Sequence, residues 1–225
     1  MWLLNPDTTV EPTALEAMID ALHEWPSAGI VTSRMLGGDH RPGQVWYDGG
    51  RIDWTRAGAA SIINNGRRFD EVAGDTRLRR TDYACGASML IRREVLEEVG
   101  LLPEQYFLYF EDVDFSVRAE RQGWDVILAP TSVVHHHQRS HALLPQPYYV
   151  YYYLRNRLAF GSSFTGLSVD DVLPFAKSWV DTWKEKIAQR APSRVDPYLQ
   201  LVELAIADAR CGRSGRRDGV SQTHV

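Results

Sequence analysis

The chain has 225 residues, 44% of them hydrophobic, and a formal net charge of −4. That is room for one domain, or one domain plus an extension, around a real core. The acidic balance argues against a nucleic-acid binder driven by bulk electrostatics, and Cys85 and Cys211, without metal spacing, argue against a disulfide framework and point to a reducing compartment.

Trp2–Leu4 reads as the end of a buried strand whose earlier part lies outside the chain, and Asn5–Thr9 as a loop. No signal-peptide pattern precedes Asn5-Pro6-Asp7. Pro12 suits a first helical position. Leu15, Met18, Ile19 and Leu22 follow at helical spacing, and the helix ends before Pro26. Ala28–Thr32 is a short apolar strand. Gln44–Tyr47 and Arg51–Trp54 flank Asp48-Gly49-Gly50 and predict a hairpin. Asn64–Arg80 is polar and basic and reads as a mobile loop. Cys85–Ile91 is small and apolar, a buried strand. Arg93–Val99 is a helix closed by Gly100. Glu111–Gln122 is a second helix, followed by Gly123. Asp125–Ala129 and Ser132–His135 are strands separated by Pro130. Pro147–Phe160, Val169–Gln189 and Pro197–Arg210 are helices, and Cys211–Val225 a disordered tail. There is no internal repeat and no apolar run of membrane-spanning length. Strands alternating with helices give an α/β chain with a mixed sheet.

Three segments carry chemistry. The first is Tyr109-Phe110-Glu111-Asp112-Val113-Asp114, three carboxylates within four positions at a helix start. Such acids complement the helix dipole, and Asp114 with Arg118 makes an i, i+4 pair. The same acids beside apolar rings can hold a general base or a metal. The second is Asn5-Pro6-Asp7 after a strand end, where ligand sites of α/β sheets gather and one carboxylate can help bind a divalent ion. The third is His135-His136-His137, in which alternation puts His135 and His137 on one face and His136 on the other.

These segments occur in a larger ordered series. It runs Leu4-Asn5-Pro6-Asp7, Cys85-Gly86-Ala87-Ser88-Met89-Leu90-Ile91-Arg92-Arg93, Val99-Gly100-Leu101-Leu102-Pro103-Glu104, then Tyr106 through Asp114. Arg118, Gly123-Trp124, Pro130, His136 through Ser140 and Arg155-Asn156 complete it. Over about Trp2 to Phe160 the chain resembles a family 2 inverting glycosyltransferase of GT-A fold, in its rhamnosyltransferase-like branch. The resemblance implies a partial GT-A fold, with residues 1–165 as the C-terminal, acceptor-side part and 166–210 as a helical extension. The βαβ units that would hold the nucleotide are missing from the resemblance.

Carried over residue by residue, Asp112 is the catalytic base and Glu111 orients the acceptor or the base. Asp7 holds Mg²⁺ or Mn²⁺ on the donor diphosphate, with Asn5 as helper and His136 as a further ligand, His135 being the alternate. Gly86 and Ala87 line the acceptor side, and Trp124 and Arg155 fall on the substrate as well. The implied partners are a nucleotide-sugar donor and a glycan or polyprenyl-linked acceptor. The implied place is the cytoplasm, with peripheral contact at the inner membrane face. A carboxylate with a reference pKa of about 3.9 cannot deprotonate a sugar hydroxyl beforehand, but it can take the proton as the glycosidic bond forms.

Tyr148, Tyr149, Tyr151, Tyr152 and Tyr153 run into Arg155 and Arg157. They suit a membrane interface or an ordinary helix packing its rings on neighbours. Trp179 and Trp183, four apart, read as core. Two other functions stay open on sequence: a two-carboxylate glycoside hydrolase, and a non-catalytic remnant that binds glycans or partners.

Overall fold

The computed structural model describes residues 1–38, 41–137 and 144–220. Two compact units are present. The sheet unit comprises Met1–Ile52, Ala60–Leu102 and Asp112–Arg139, and the helical unit Asp53–Ala59, Pro103–Glu111 and Ser140–Val225.

In chain order the elements are β1 (Trp2–Leu4), β2 (Thr8–Val10), α1 (Ala14–Glu24), β3 (Ala28–Gly37), β4 (Val45–Tyr47), β5 (Gly50–Asp53), β6 (Ala59–Ile62), β7 (Arg79–Arg80), β8 (Ser88–Ile91), α2 (Arg93–Val99), α3 (Glu111–Arg121), β9 (Asp125–His136), α4 (Pro147–Thr165), α5 (Val169–Arg190) and α6 (Val195–Arg210). The main sheet runs β1-β8-β3-β9-β2, with β4 added on β3 and β7 on β9. It is mixed: β3 and β9 are parallel, whereas β1 and β3 pair antiparallel with β8.

Period-two alternation explains why the sheet is covered on both faces. Ile30, Met89 and Val126 pack with Val95 of α2 and with Phe115 and Ala119 of α3. Their neighbours Val31, Leu90 and Ile127 pack with Met18 and Ala21 of α1. At Gly29 the packing leaves no room for a side chain, since a Cβ there would stand 2.5 Å from Val95 and 2.9 Å from Trp124.

The structure departs from the sequence expectations at four places. Thr8–Val10, expected largely as loop, is β2, because it pairs antiparallel with Val134–His136. The expected hairpin around Asp48 does not form: β4 pairs with β3, and β5 with β6. The reason is Asp48, which is fully buried and binds Arg34 Nε at 2.7 Å, Asn64 Nδ2 at 2.6 Å and Arg79 Nη2 at 2.8 Å. A carboxylate so engaged is an anchor, not a turn residue. The same contacts tie Asn64 and Arg79 down, so the expected mobile segment is fastened at both ends. Finally, Asp125–His136 is one strand. The register against β3 jumps from Ser33↔Ala129 to Arg34↔Val133, so Pro130, which lacks an N–H, sits in a bulge.

In the helical unit, α4 packs against α5 and α6 through Val150, Tyr151, Tyr152, Leu154 and Leu158, all fully or almost fully buried. Tyr149 meets Trp179 edge-on and Tyr153 stacks on it, with ring centroids 5.9 and 4.9 Å away. The tyrosines of α4 are thus used in helix packing. Serine 168 caps α5 by a reciprocal pair with Asp171. Of the tail expected to be disordered, residues 211–220 are held through Arg217, whose guanidinium lies 2.6 Å from Asp208, and residues 221–225 lie outside the described ones. Among the described residues no helix is long and apolar enough to cross a membrane.

Candidate active site

Four sequence segments meet in the sheet unit through a chain of backbone contacts. Asp112, in the first turn of α3, accepts the Gly86 N–H on Oδ2 at 2.9 Å and the Val113 N–H on Oδ1 at 2.8 Å. One turn on, the Ser116 hydroxyl accepts the Ala84 N–H at 3.0 Å and donates to the Asp112 carbonyl at 2.7 Å. The start of α3 is therefore laced to the segment that leads into β8. From that segment the Ala87 carbonyl accepts the Asn5 N–H at 3.2 Å. The Asn5 carbonyl in turn accepts the Thr8 hydroxyl at 2.7 Å, closing the Asn-Pro-Asp turn.

Asp7 completes the chain. Its carbonyl accepts the His137 N–H at 2.8 Å, and its Oδ1 lies 3.3 Å from His136 Nε2. Strand alternation acts as expected across the histidines. His135 bonds Glu11 at 2.7 Å and His137 bonds Thr9 at 2.9 Å, while His136 turns the other way and is buried. The Trp46 ring meets His136 edge-on, with centroids 4.4 Å apart. Trp46 had no sequence signal beyond its place on a short strand; only the pairing of β4 with β3 brings it there.

Electrostatics distinguish the two groups. Burial pushes the Asp112 carboxyl above its ordinary range, and the backbone N–H groups of Gly86 and Val113 offset part of that. Burial also holds the His136 imidazole below its ordinary value, against the pull of Asp7, so it is neutral near pH 7 and keeps a lone pair. Its buried Nδ1 has no hydrogen-bond partner among the described residues.

Other expected residues fall differently. Asp114 pairs with Arg118 at 2.7 Å, and Arg118 also donates to the Val99 and Leu101 carbonyls, so this acid is structural. Glu111 is half-buried and immediately precedes Asp112. Trp124 sits just before β9, the opposite end of that strand from His136. At about 3.3 Å per residue the separation is too long for a shared ligand. Its indole donates to Glu98 at 2.8 Å and packs over Gly29. Arg155 is 1% exposed, and its guanidinium is bonded to the carbonyls of Tyr106 and Gly215 and to the side chain of Asn156. Trp124 and Arg155 thus both make structural contacts. Ser140, part of the histidine motif, lies outside the described residues.

Residues 1–157 match the family described as glycosyltransferase like family 2. The chain belongs to that family. The mixed sheet flanked by helices is the GT-A-like arrangement expected of it. Over 158 residues this family 2 chain is 28% identical to the N-acetylglucosaminyl-diphospho-decaprenol L-rhamnosyltransferase of Mycobacterium tuberculosis, covering 61% of this chain and 47% of that one. It is 22% identical over 172 residues to the low-salt glycan biosynthesis hexosyltransferase Agl10 of Haloferax volcanii, covering 76% and 53%. The family 2 chain thus spans about half the length of these curated relatives. Among solved structures it is similar to GalNAc-T7 with UDP, GalNAc and Mn²⁺, at 16% identity and a TM-score of 0.49, over 95% of this chain and 38% of that one.

Proposed function

We propose that this chain transfers a sugar from a nucleotide-diphospho-sugar to a glycan or polyprenyl-linked acceptor, inverting the anomeric carbon, with Asp112 as general base. The observation that carries the reading is the Asp112 carboxylate, fixed by the Gly86 and Val113 N–H groups at the head of α3. Two backbone donors set its direction without neutralising it. Burial keeps it more basic than a surface aspartate. Gly86 and Ala87, beside it, are small enough to let a sugar approach, and Glu111 orients the acceptor hydroxyl. The acceptor oxygen attacks the anomeric carbon, its proton passes to Asp112, and the nucleotide diphosphate leaves from the opposite face.

The residues around Asp7 fit a divalent cation. A neutral, buried imidazole and a carboxylate 3.3 Å apart offer two ligands. Among the described residues no third His, Cys, Asp or Glu joins them. Mg²⁺ and Mn²⁺ accept so few protein ligands where substrate phosphates complete the shell, and imidazole favours Mn²⁺ of the two. Asp7 and His136 would hold it, with Asn5 beside them. Such a cation supplies positive charge for the departing diphosphate.

Rhamnose from dTDP-rhamnose is the donor we favour, and a polyprenyl-diphosphate-linked N-acetylglucosamine the acceptor, in keeping with the name of the mycobacterial relative. We put the reaction at the cytoplasmic face of the membrane, where such an acceptor and a nucleotide sugar would meet. The test is Asp112→Asn with that donor and acceptor. The variant should stay folded with a slightly lowered melting temperature, keep its donor KM and lose about 10³-fold in kcat. In the wild type, kcat should fall as pH falls through a pKa above the ordinary aspartate value of about 3.9, because only the ionised base accepts the proton. Near-wild-type turnover in the variant would overturn the assignment.

A further inference from the structure

The segment that delivers the chain to Glu111 has an unusual backbone. Phe107, Tyr109 and Phe110 all lie at positive φ, at 64°, 65° and 75°. Aromatic residues rarely occupy that region, because the Cβ crowds the backbone. Three within four positions require something to hold them.

The holding group is Asn156 of α4. Its Nδ2 lies 2.9 Å from the Tyr106 carbonyl, 2.6 Å from that of Leu108 and 2.9 Å from that of Tyr109. The winding turn aims these carbonyl oxygens at one point, where they would repel one another without a donor. The amide cannot be reversed, because Arg155 Nε donates to Asn156 Oδ1 at 2.9 Å. Arg155 adds a bond to the Tyr106 carbonyl at 2.9 Å. Asn156 is 1% exposed, so no water substitutes for it. The left-handed residues in turn throw their rings onto α4: Phe107 against Tyr152, Tyr109 against Tyr149, and Phe110 against Tyr153 and Phe160, all with centroids 5.1 to 5.5 Å apart.

We propose that Asn156 is a positioning residue. It fixes the left-handed turn at Tyr106–Phe110 from which Glu111, and the next residue Asp112, enter α3. It touches no reacting atom. Its work is to fix the backbone that leads to Glu111, and with it the placing of the Glu111 carboxylate. This rests on the reading of Asp112 as base, but the turn can be tested without it.

The experiment compares the wild-type chain, Asn156→Ala, and Asn156→Ala combined with Tyr109→Gly. Readouts are hydrogen–deuterium exchange and transfer from dTDP-rhamnose to polyprenyl-diphosphate-linked N-acetylglucosamine. Asn156→Ala should speed exchange at least about tenfold within residues 106–112 while α5 and β3 keep their protection. It should lower kcat on the order of 100-fold with donor KM within about twofold, the mark of a displaced orienting carboxylate at Glu111 rather than a lost donor contact. Glycine adopts positive φ without the Cβ clash. The double variant should therefore recover about tenfold of the lost kcat and slow the exchange again. Unchanged exchange in residues 106–112, or global loss of protection in both variants, would overturn the proposal. So would a wild-type kcat in Asn156→Ala. If the wild type itself transfers nothing, the reading of the reaction fails, and the exchange data alone decide the role of Asn156.

Discussion

Asp112 of the sheet unit and Asn156 of the helical unit are both polar side chains tied to backbone, but in opposite senses. In the sheet unit, backbone groups serve a side chain: two N–H groups hold the Asp112 carboxylate. In the helical unit, side chains serve the backbone. Asn156 and Arg155 satisfy carbonyls of the aromatic turn, and Arg157 donates to the Ala57 and Arg56 carbonyls at 2.8 and 2.7 Å. A side chain held by backbone keeps capacity for a ligand, whereas one spent on backbone carbonyls has little left to offer. The criterion separates Asp112 from Arg155, although both occur in motifs of equal prominence.

The contrast can be broken by substitution. The largest stability effect is expected at Arg157→Ala, which strands the buried Ala57 carbonyl and the partly buried Arg56 carbonyl and should cost about 2–3 kcal/mol in urea denaturation. Asp112→Asn should cost less in the same measurement, about 1 kcal/mol, because the amide keeps an acceptor for only one of the Gly86 and Val113 N–H groups. Equal losses would erase the distinction between the two kinds of contact. Next comes Asp7→Ala, expected to weaken Mn²⁺ binding by at least about tenfold in titration calorimetry with dTDP present. Stability should hardly change, because Asp7 contributes its carbonyl, not its side chain, to the strand contact with His137. Unaltered affinity would remove Asp7 from the cation site. The smallest effect belongs to Asp114 and Arg118. The Arg118 side chain is 30% exposed, so solvent screens the pair, and a double-mutant cycle should give a coupling of only about 0.5 kcal/mol. A coupling several times larger would mean that the acidic cluster acts as one network.

Much of this was legible in the sequence where the signal is periodic and local. The α2 boundaries, the helical start at Glu111, the opposed faces of His135 and His136 and the Asp114–Arg118 pair all follow from spacing along one element. The hairpin at Asp48 was misread because a turn signal and a buried acid look alike until Arg34 and Arg79 come near. The split of β9 at Pro130 was misread because a proline breaks a strand unless a bulge absorbs it. The bonds of Arg155 to the Tyr106 and Gly215 carbonyls were not legible, because its motif gives no hint of whether its donors meet a ligand or a carbonyl.

The sequence by itself determined the α/β class, the family and the group of residues worth testing, since these depend on residue type and order. Tertiary structure decided which of them meet. Asn5, Gly86, Asp112 and His136 are dispersed over more than half the chain, and only strand register and the Gly86 and Ala87 contacts assemble them. The positive φ angles before Glu111 were likewise invisible, because nothing in Tyr-Phe-Leu-Tyr-Phe calls for a left-handed turn. That turn exists because an amide on another helix gathers its carbonyls, a contact about fifty residues away along the chain.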